Sequence, residues 1–306
     1  MESYARELRD DLIGRVAAAA PSEHAVELPD LVNTPVVVLA GGRGTRLAPY
    51  TSVLPKPLMP VGDRSILEIV VGQLADCGVR KVNLSVGYLA HLIRAVFDHR
   101  AQRDVVITYV YEEDALGTAA PLRLVNGLDK TFIAMNGDVL TRLDYRDLVR
   151  HHQDHGNMLT IATHNRSIKI DYGMLHLDTE ARVRAFEEKP EIVSPVSMGI
   201  YVMEPEILDY IPPATRFDFP DLVQALLSQG ERVGAYCYSG IWFDIGRADD
   251  YERAVAAWGD NGMISSAPHG NGNGSRRHLT SDGGLDVLPG RSSGGRRATD
   301  RRKPLS

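Results

Sequence analysis

The stretch VVVLAGGRGTRLAPYTSVLPKPLMPV, Val36 to Val61, decides how the rest of the chain is read. It opens with an apolar, β-branched run, Val36–Ala40, that predicts a buried strand. Gly41, Gly42 and Gly44 follow at once, and glycine lets backbone N–H groups approach an anion with no Cβ in the way. Arg46 comes next, and Lys56 stands between Pro55 and Pro57 in a loop that Pro49 and Pro60 restrict further. An arginine fork and a lysine point charge held on stiff backbone suit the oxygens of a polyphosphate. The spacing is neither G-x-G-x-x-G nor a P-loop, so neither a dinucleotide-binding unit nor a common NTPase follows from it. Alone, the glycines would serve equally well as a turn.

Strands and helices alternate around this stretch, the pattern of a mainly parallel α/β sheet. Further strands are expected at Lys81–Val86, Val105–Tyr111 and Phe132–Met135, with helices at Ile66–Cys77, Leu89–His99, Thr118–Asn126 and Tyr145–His155. Ser65 and Glu68 have capping-box spacing, and Gly78 is placed to stop that helix. Beyond Asn157 the segments shorten to strands at Leu159–Thr163, Gly173–Leu177, Val183–Glu187 and Met198–Met203, which extend the sheet and fold over one edge. Helices at Pro205–Tyr210 and Pro220–Gln229, a strand at Gly234–Tyr238 and a helix at Ala248–Trp258 complete the body.

Three regions result: an N-terminal helix and linker (1–34), a main domain (35–258) and a tail (259–306). Leu8, Leu12, Ile13 and Val16 give Glu2–Ala20 a helical apolar stripe that Pro21 ends. The stripe suits docking on the body or on a second subunit of a homo-oligomer, and alone it leaves both open. The tail is rich in Gly, Ser and Arg and poor in apolar residues, a composition that does not fold on its own. No hexapeptide repeat of the β-helix kind occurs.

Of the 306 residues 43% are hydrophobic and 24% charged, and the formal net charge of -6 argues against nucleic acid as the main partner. No secretory signal or run of 18 apolar residues is present, so the reading is a soluble, cytoplasmic protein away from the membrane. Cys77 and Cys237 lie far apart without metal-ligand spacing. The ten histidines show no HxH or HExxH spacing, and His151, His152 and His155 read as a solvated helix face.

Asp138, in MNGDVL, lies at the carboxyl end of a strand, where open α/β sheets bind ligands. Asp244, in GIWFDIG, is flanked by apolar residues and drawn inward, where a carboxylate needs a cation or donors. Each acid alone could equally cap or turn the chain; both together with a polyphosphate loop favour a metal. Glu188 and Lys189, in FEEKP, end a strand before a proline and read in isolation as an exposed charged turn.

The ordered motifs LAGGRGTRLAPYTSVLPKPLMPVGDRSIL, EEDALGTAAPL, MNGDVL, YGMLHLD, FEEKP, SMGIYVMEPEIL and IWFDIGRADDYERA resemble those of the sugar-1-phosphate nucleotidylyltransferases, from about Pro35 to Trp258. The wording of the last two is most similar to the mannose-1-phosphate guanylyltransferase-like group of single-domain members. The resemblance implies a Rossmann-like, mainly parallel mixed sheet flanked by helices, with a small sugar-binding part and no β-helix domain. It implies an enzyme that makes an NDP-sugar and pyrophosphate from an NTP, here GTP, and a sugar 1-phosphate such as mannose 1-phosphate, with Mg²⁺.

By the same resemblance Leu39, Ala40, Gly41, Gly42, Gly44, Thr45 and Gly117 would bind the nucleotide. Arg46 would hold the β/γ-phosphates and Lys56 the reacting phosphates. Gly173, Glu188, Lys189 and Tyr201 would contact the sugar phosphate, and Asp138 and Asp244 the metal. Two departures, Ser197 in SMGIY and Ala120 in LGTAA, leave the base and sugar contacts least transferable. Thymidylyl-, cytidylyl- or uridylyltransferases using another sugar or cyclitol phosphate are alternatives. So is a silent NDP-sugar-binding regulator.

Overall fold

The computed structural model describes residues 28–99, 104–112, 115–246 and 248–259. The expected N-terminal helix and the tail beyond Gly259 lie outside the described residues. All of the described residues fall in Met1–Ser265, the first of two units into which the chain divides.

Thirteen strands and five α-helices are formed by the described residues. The strands are β1 (Val36–Leu39), β2 (Pro60–Val61), β3 (Arg64–Ser65), β4 (Lys81–Val86), β5 (Val106–Tyr111), β6 (Phe132–Asn136), β7 (Val139–Thr141), β8 (Leu159–Lys169), β9 (Met174–Leu177), β10 (Val183–Glu187), β11 (Glu191–Met203), β12 (Val233–Tyr238) and β13 (Trp242–Asp244). The helices are α1 (Ile66–Asp76), α2 (Ala90–His99), α3 (Tyr145–His155), α4 (Phe219–Ser228) and α5 (Ala248–Gly259). Seven strands make the central sheet in the order β12-β8-β11-β6-β1-β4-β5. All neighbours are parallel except β11, which runs antiparallel to both β6 and β8.

Alternation of side chains across the pleat gives the sheet two apolar faces. Val36, Val38, Ile133 and Met135 pack on one face with Ile66 and Leu74 of α1, Ile93 of α2 and Leu148 of α3. Val37, Phe132, Ala134 and Met203 pack on the other with Leu122, Leu222 and Leu226. The run Val36–Val38 is fully buried because both faces are covered, which is why it reads as continuous apolar sequence.

Most sequence expectations hold to within a residue or two. Ser65 and Glu68 form the capping box of α1, Ser65 N donating to Glu68 Oε2 (2.8 Å) and Glu68 N to Ser65 Oγ (3.3 Å). Gly78 follows the end of that helix with φ 97°. The body starts before Pro35: Leu31, expected in a linker, is fully buried in the core.

Four expected secondary-structure elements or pairings are corrected. The helix expected over Thr118–Asn126 is a short 3₁₀ segment, Ala120–Leu124, because the amides just before it are bonded elsewhere in the fold and Pro121 supplies no N–H. Pro205–Tyr210 is likewise 3₁₀. β8 and β11 run well past the expected short strands and pair as a long ribbon, Glu191 opposite Lys169 through Met203 opposite Leu159, with an irregularity between Ser197 and Tyr201. β9 and β10 pair only with each other, so they do not extend the sheet.

His152 is not on a solvated face. It is 1% exposed, with Nδ1 2.9 Å from Thr160 Oγ1 and Nε2 2.9 Å from Glu204 Oε1. Burial pushes the imidazole below its ordinary value, against the opposing pull of Glu204. The folded state therefore binds the proton less readily than the unfolded chain, whose histidine titrates at about 6.5. Stability should be complete above that value and erode as pH falls through it toward the lower folded value. Thermal melts from pH 8 to pH 5 should show this decline in the native protein and a shallower one in His152→Gln; identical slopes would remove His152 as the cause.

Candidate functional site

The carboxyl ends of β6, β1 and β4 lie side by side, so the loops that leave them meet at one edge of the sheet. Backbone bonds lock the loops together: Gly137 N donates to Leu39 O (2.8 Å), Ala40 N to Ser85 O (2.7 Å) and Tyr88 N to Gly41 O (3.1 Å). A Cβ on Gly41 would stand 2.6 Å from Glu112 Oε1, whereas one on Gly42 would meet nothing within 4 Å. Gly41 is thus a packing glycine, and the open side of the loop is at Gly42.

Gly44 has φ 61°, a left-handed value that only glycine adopts without strain, and it starts the 3₁₀ turn Thr45–Leu47. Its Cβ position lies 3.0 Å from Lys56 Cβ and 3.1 Å from Thr51 Cγ2. Thr51 Oγ1 closes the loop by donating to Gly44 O (2.9 Å). The proline-rich segment is folded back in this way against the glycine loop, and Lys56, only 8% exposed, is delivered to the strand ends.

Lys56 Nζ forms an ion pair with Asp138 Oδ2. Asp138 Oδ1 is buried and has no hydrogen-bond partner among the described residues. β7 pairs antiparallel with β13, placing Asp244 opposite Val139, and Ile245 N donates to Asp138 O (3.1 Å). Burial pushes the Asp244 carboxyl up, the neighbouring Asp138 charge adds to the rise, and Lys56 and Arg46 oppose it. Arg46 reaches the same place: its Nη2 lies 3.3 Å from the Cβ position of Gly246, itself 3.3 Å from Asp244 Oδ1.

Two cations and two acids, from positions 46, 56, 138 and 244, therefore converge where a buried acceptor is left over. Among the described residues no set of three His, Cys, Asp or Glu side chains makes a closed metal site. Two carboxylates with open positions suit a hard divalent cation whose shell is completed by water and substrate phosphates.

The other expected contacts are placed separately. Gly173 packs on Phe186, its Cβ position 2.4 Å from the ring, and 3.3 Å from Glu188 Oε2. Glu188 and Lys189 are exposed, Lys189 with φ 47°, and among the described residues no hydrogen bond or ion pair joins either to Lys56 or Asp138. Tyr201 lies in the second core cluster, 7% exposed, stacked on Phe219 at 3.9 Å with its hydroxyl 3.2 Å from Ser197 Oγ. Packing accounts for its position. Gly117, with φ 93°, packs against Phe217 and Asp218.

Glu112 was not singled out in the sequence. It lies under Gly41 and accepts from Ser85 Oγ (2.6 Å), and burial pushes its carboxyl up. Its place directly after β5 was the available signal. A cavity of about 690 Å³, lined by Asn33, Lys81, Asn83, Thr108 and Lys130 among others, opens instead at the amino-terminal ends of β1, β4 and β6. No helix among the described residues is long and apolar enough to cross a membrane.

Residues 35–261 match the nucleotidyl transferase family. A UTP–glucose-1-phosphate uridylyltransferase of Synechocystis sp. is 31% identical over 239 residues, 72% of this chain and 62% of that protein. A mannose-1-phosphate guanyltransferase of Schizosaccharomyces pombe is 32% identical over 224 residues, 70% and 61% of the two chains. The chain thus spans about three fifths of the length of these curated relatives. Among solved structures, HddC from Yersinia pseudotuberculosis superposes with a TM-score of 0.58 at 26% identity, covering 73% of this chain and 99% of that one.

Proposed function

The chain belongs to the nucleotidyl transferase family, and from that premise we propose that it joins an NTP to a sugar 1-phosphate, releasing pyrophosphate. The observation that carries this reading is the convergence of Arg46, Lys56, Asp138 and Asp244 beside the glycine loop, with Asp138 Oδ1 left unpartnered.

The second pKa of a phosphate monoester is about 6, so the sugar phosphate arrives largely as a dianion and needs no general base. One of its oxygens forms the new bond to the α-phosphorus as the bond from that phosphorus to the bridging oxygen breaks, and pyrophosphate departs with the electron pair. Alignment and charge neutralisation are what the protein must provide. The open backbone at Gly42 and the turn at Gly44 and Thr45 would receive the triphosphate. Arg46 would hold the β- and γ-phosphates, and Lys56, already beside Asp138, would meet the charge that shifts at the α-phosphate.

Asp138 and Asp244 would hold Mg²⁺, which when bound supplies neutralisation of phosphate oxygens. Gly173, Glu188 and Lys189 would contact the sugar phosphate. GTP with mannose 1-phosphate or a related hexose or heptose 1-phosphate is the first pair to test. It is favoured by the SMGIYVMEP and DIGRADDYE segments and by the guanyltransferase relative; UTP with glucose 1-phosphate is second, from the uridylyltransferase relative.

The decisive measurement is pyrophosphate release by the purified full chain across GTP, UTP, dTTP, CTP and ATP against mannose, glucose and heptose 1-phosphates, with and without Mg²⁺. One pair should turn over, and chelation with EDTA should stop it. No release from any pair, together with nucleotide binding in calorimetry, would replace this reading with that of a silent regulator.

A further inference from the structure

The loop Leu116–Ala120 is held by polar groups of the fold. At its start Leu116 O accepts from Phe217 N (2.8 Å). Thr118 N donates to Asp218 Oδ1 (2.8 Å), and Ala119 N and Ala120 N both donate to Phe217 O (3.0 and 3.1 Å). Phe219 N donates to Thr118 Oγ1 (3.0 Å), while Thr118 Oγ1 itself donates to Asp218 Oδ1 (3.2 Å). The Thr118, Ala119 and Ala120 amides are all engaged, whereas the Gly117 N–H just before them has no partner among the described residues.

Asp218 stands at the N-cap of α4, yet its Oδ1 is spent on Thr118, one hundred positions away in sequence. The fit at Gly117 is close: a Cβ there would lie 2.7 Å from both Asp218 Oδ1 and Phe217 O. A free amide between a bonded Leu116 carbonyl and three engaged amides is a fixed donor, because the bonds on either side set its direction before any ligand arrives.

We propose that Asp218 is a positioning residue for the nucleotide: by clamping Thr118 against α4 it holds the Gly117 N–H as the donor that this loop offers to the NTP. The inference rests on the reading of Gly117 as a nucleotide contact. Asp218 acts through the loop and is required neither by the metal nor by the sugar phosphate.

The test uses the full chain with Asp218→Ser, Asp218→Asn and Thr118→Val. Serine is as good an N-cap as aspartate but too short to reach Thr118, so it keeps the helix start and removes the clamp. Asparagine keeps the Oδ1 acceptor. For Asp218→Ser the Kd of the preferred NTP by calorimetry, and its KM, should rise about tenfold, the equivalent of one lost good hydrogen bond. The KM for the sugar phosphate should stay within about twofold, the melting temperature should stay near native, Asp218→Asn should recover most of the affinity, and Thr118→Val should lose an intermediate amount.

Native nucleotide affinity in Asp218→Ser would overturn the proposal alone. A parallel rise in both KM values, or no recovery with asparagine, would reduce Asp218 to a stabilising cap. If the native chain binds none of the five NTPs, the nucleotidyl transfer reading fails first and this proposal with it.

Discussion

Asp138→Asn should lose metal-dependent pyrophosphate release by about 10³-fold, the size of loss expected when one preorganised electrostatic group is removed from a reacting phosphate. Asparagine has the volume of aspartate, and it retains an oxygen for Lys56, so the ion pair becomes a hydrogen bond and the local packing survives. What disappears is the charge at Oδ1, the buried acceptor left without a partner. The melting temperature should stay close to native, and calorimetric titration with Mn²⁺ in place of Mg²⁺ should show weakened metal binding. Turnover within tenfold of native would reject Asp138 as the principal metal ligand.

Lys56→Met should be inactive for a different reason and less stable as well. The lysine neutralises Asp138 directly and is one of two cations opposing the rise of the Asp244 carboxyl. Its loss leaves two adjacent, largely buried acids with Arg46 as their remaining neighbour cation among the described residues. Breaking such a pair costs about 3 kcal/mol when one partner is removed, which at this size lowers the melting temperature by roughly 6–12 °C. The second substitution that separates the effects is Asp244→Asn: in the Lys56→Met, Asp244→Asn double variant the melting temperature should recover most of the loss and turnover should not. A single variant that melts like the native protein would show that the ion pair does not hold the site together.

Local features were legible because their partners are local. The buried strand Val36–Ala40, the Ser65 and Glu68 capping box and the stop at Gly78 are each decided within a few residues, by periodicity, by an N-cap hydroxyl and by a positive φ. The expected solvated face holds only for His155: His151 is half-buried against Tyr236, and His152 is fully inside. The groups that bury it, Thr160 and Glu204, come from beyond the helix. The helix expected from Thr118 failed for the same kind of reason, since the carbonyl that takes Ala119 N and Ala120 N belongs to Phe217.

Within the site, residue types could be picked out but not their assembly. Asp138 and Asp244 were each ambiguous between turn chemistry and ligand duty. Only the β7 and β13 pairing makes them neighbours, and only the folding back of the proline loop gives Asp138 its lysine. Tyr201 was named from a motif and lies in the core stacked on Phe219. Glu112 lies in a quoted motif and Asp218 outside all of them, and the partners that place them, Ser85 and Thr118, are 27 and 100 positions away in sequence.

The β7 and β13 ribbon also sets an order in time. Asp138 is synthesised first, and its companion comes more than a hundred residues later, on a short strand that pairs with nothing in the seven-stranded sheet. A nascent chain emerging from the ribosome can thus assemble β1, β4, β5 and β6 long before it can bring Asp244 beside Asp138. Any chemistry that needs both acids would therefore appear late in the protein's biogenesis, only after the chain has been made beyond β13.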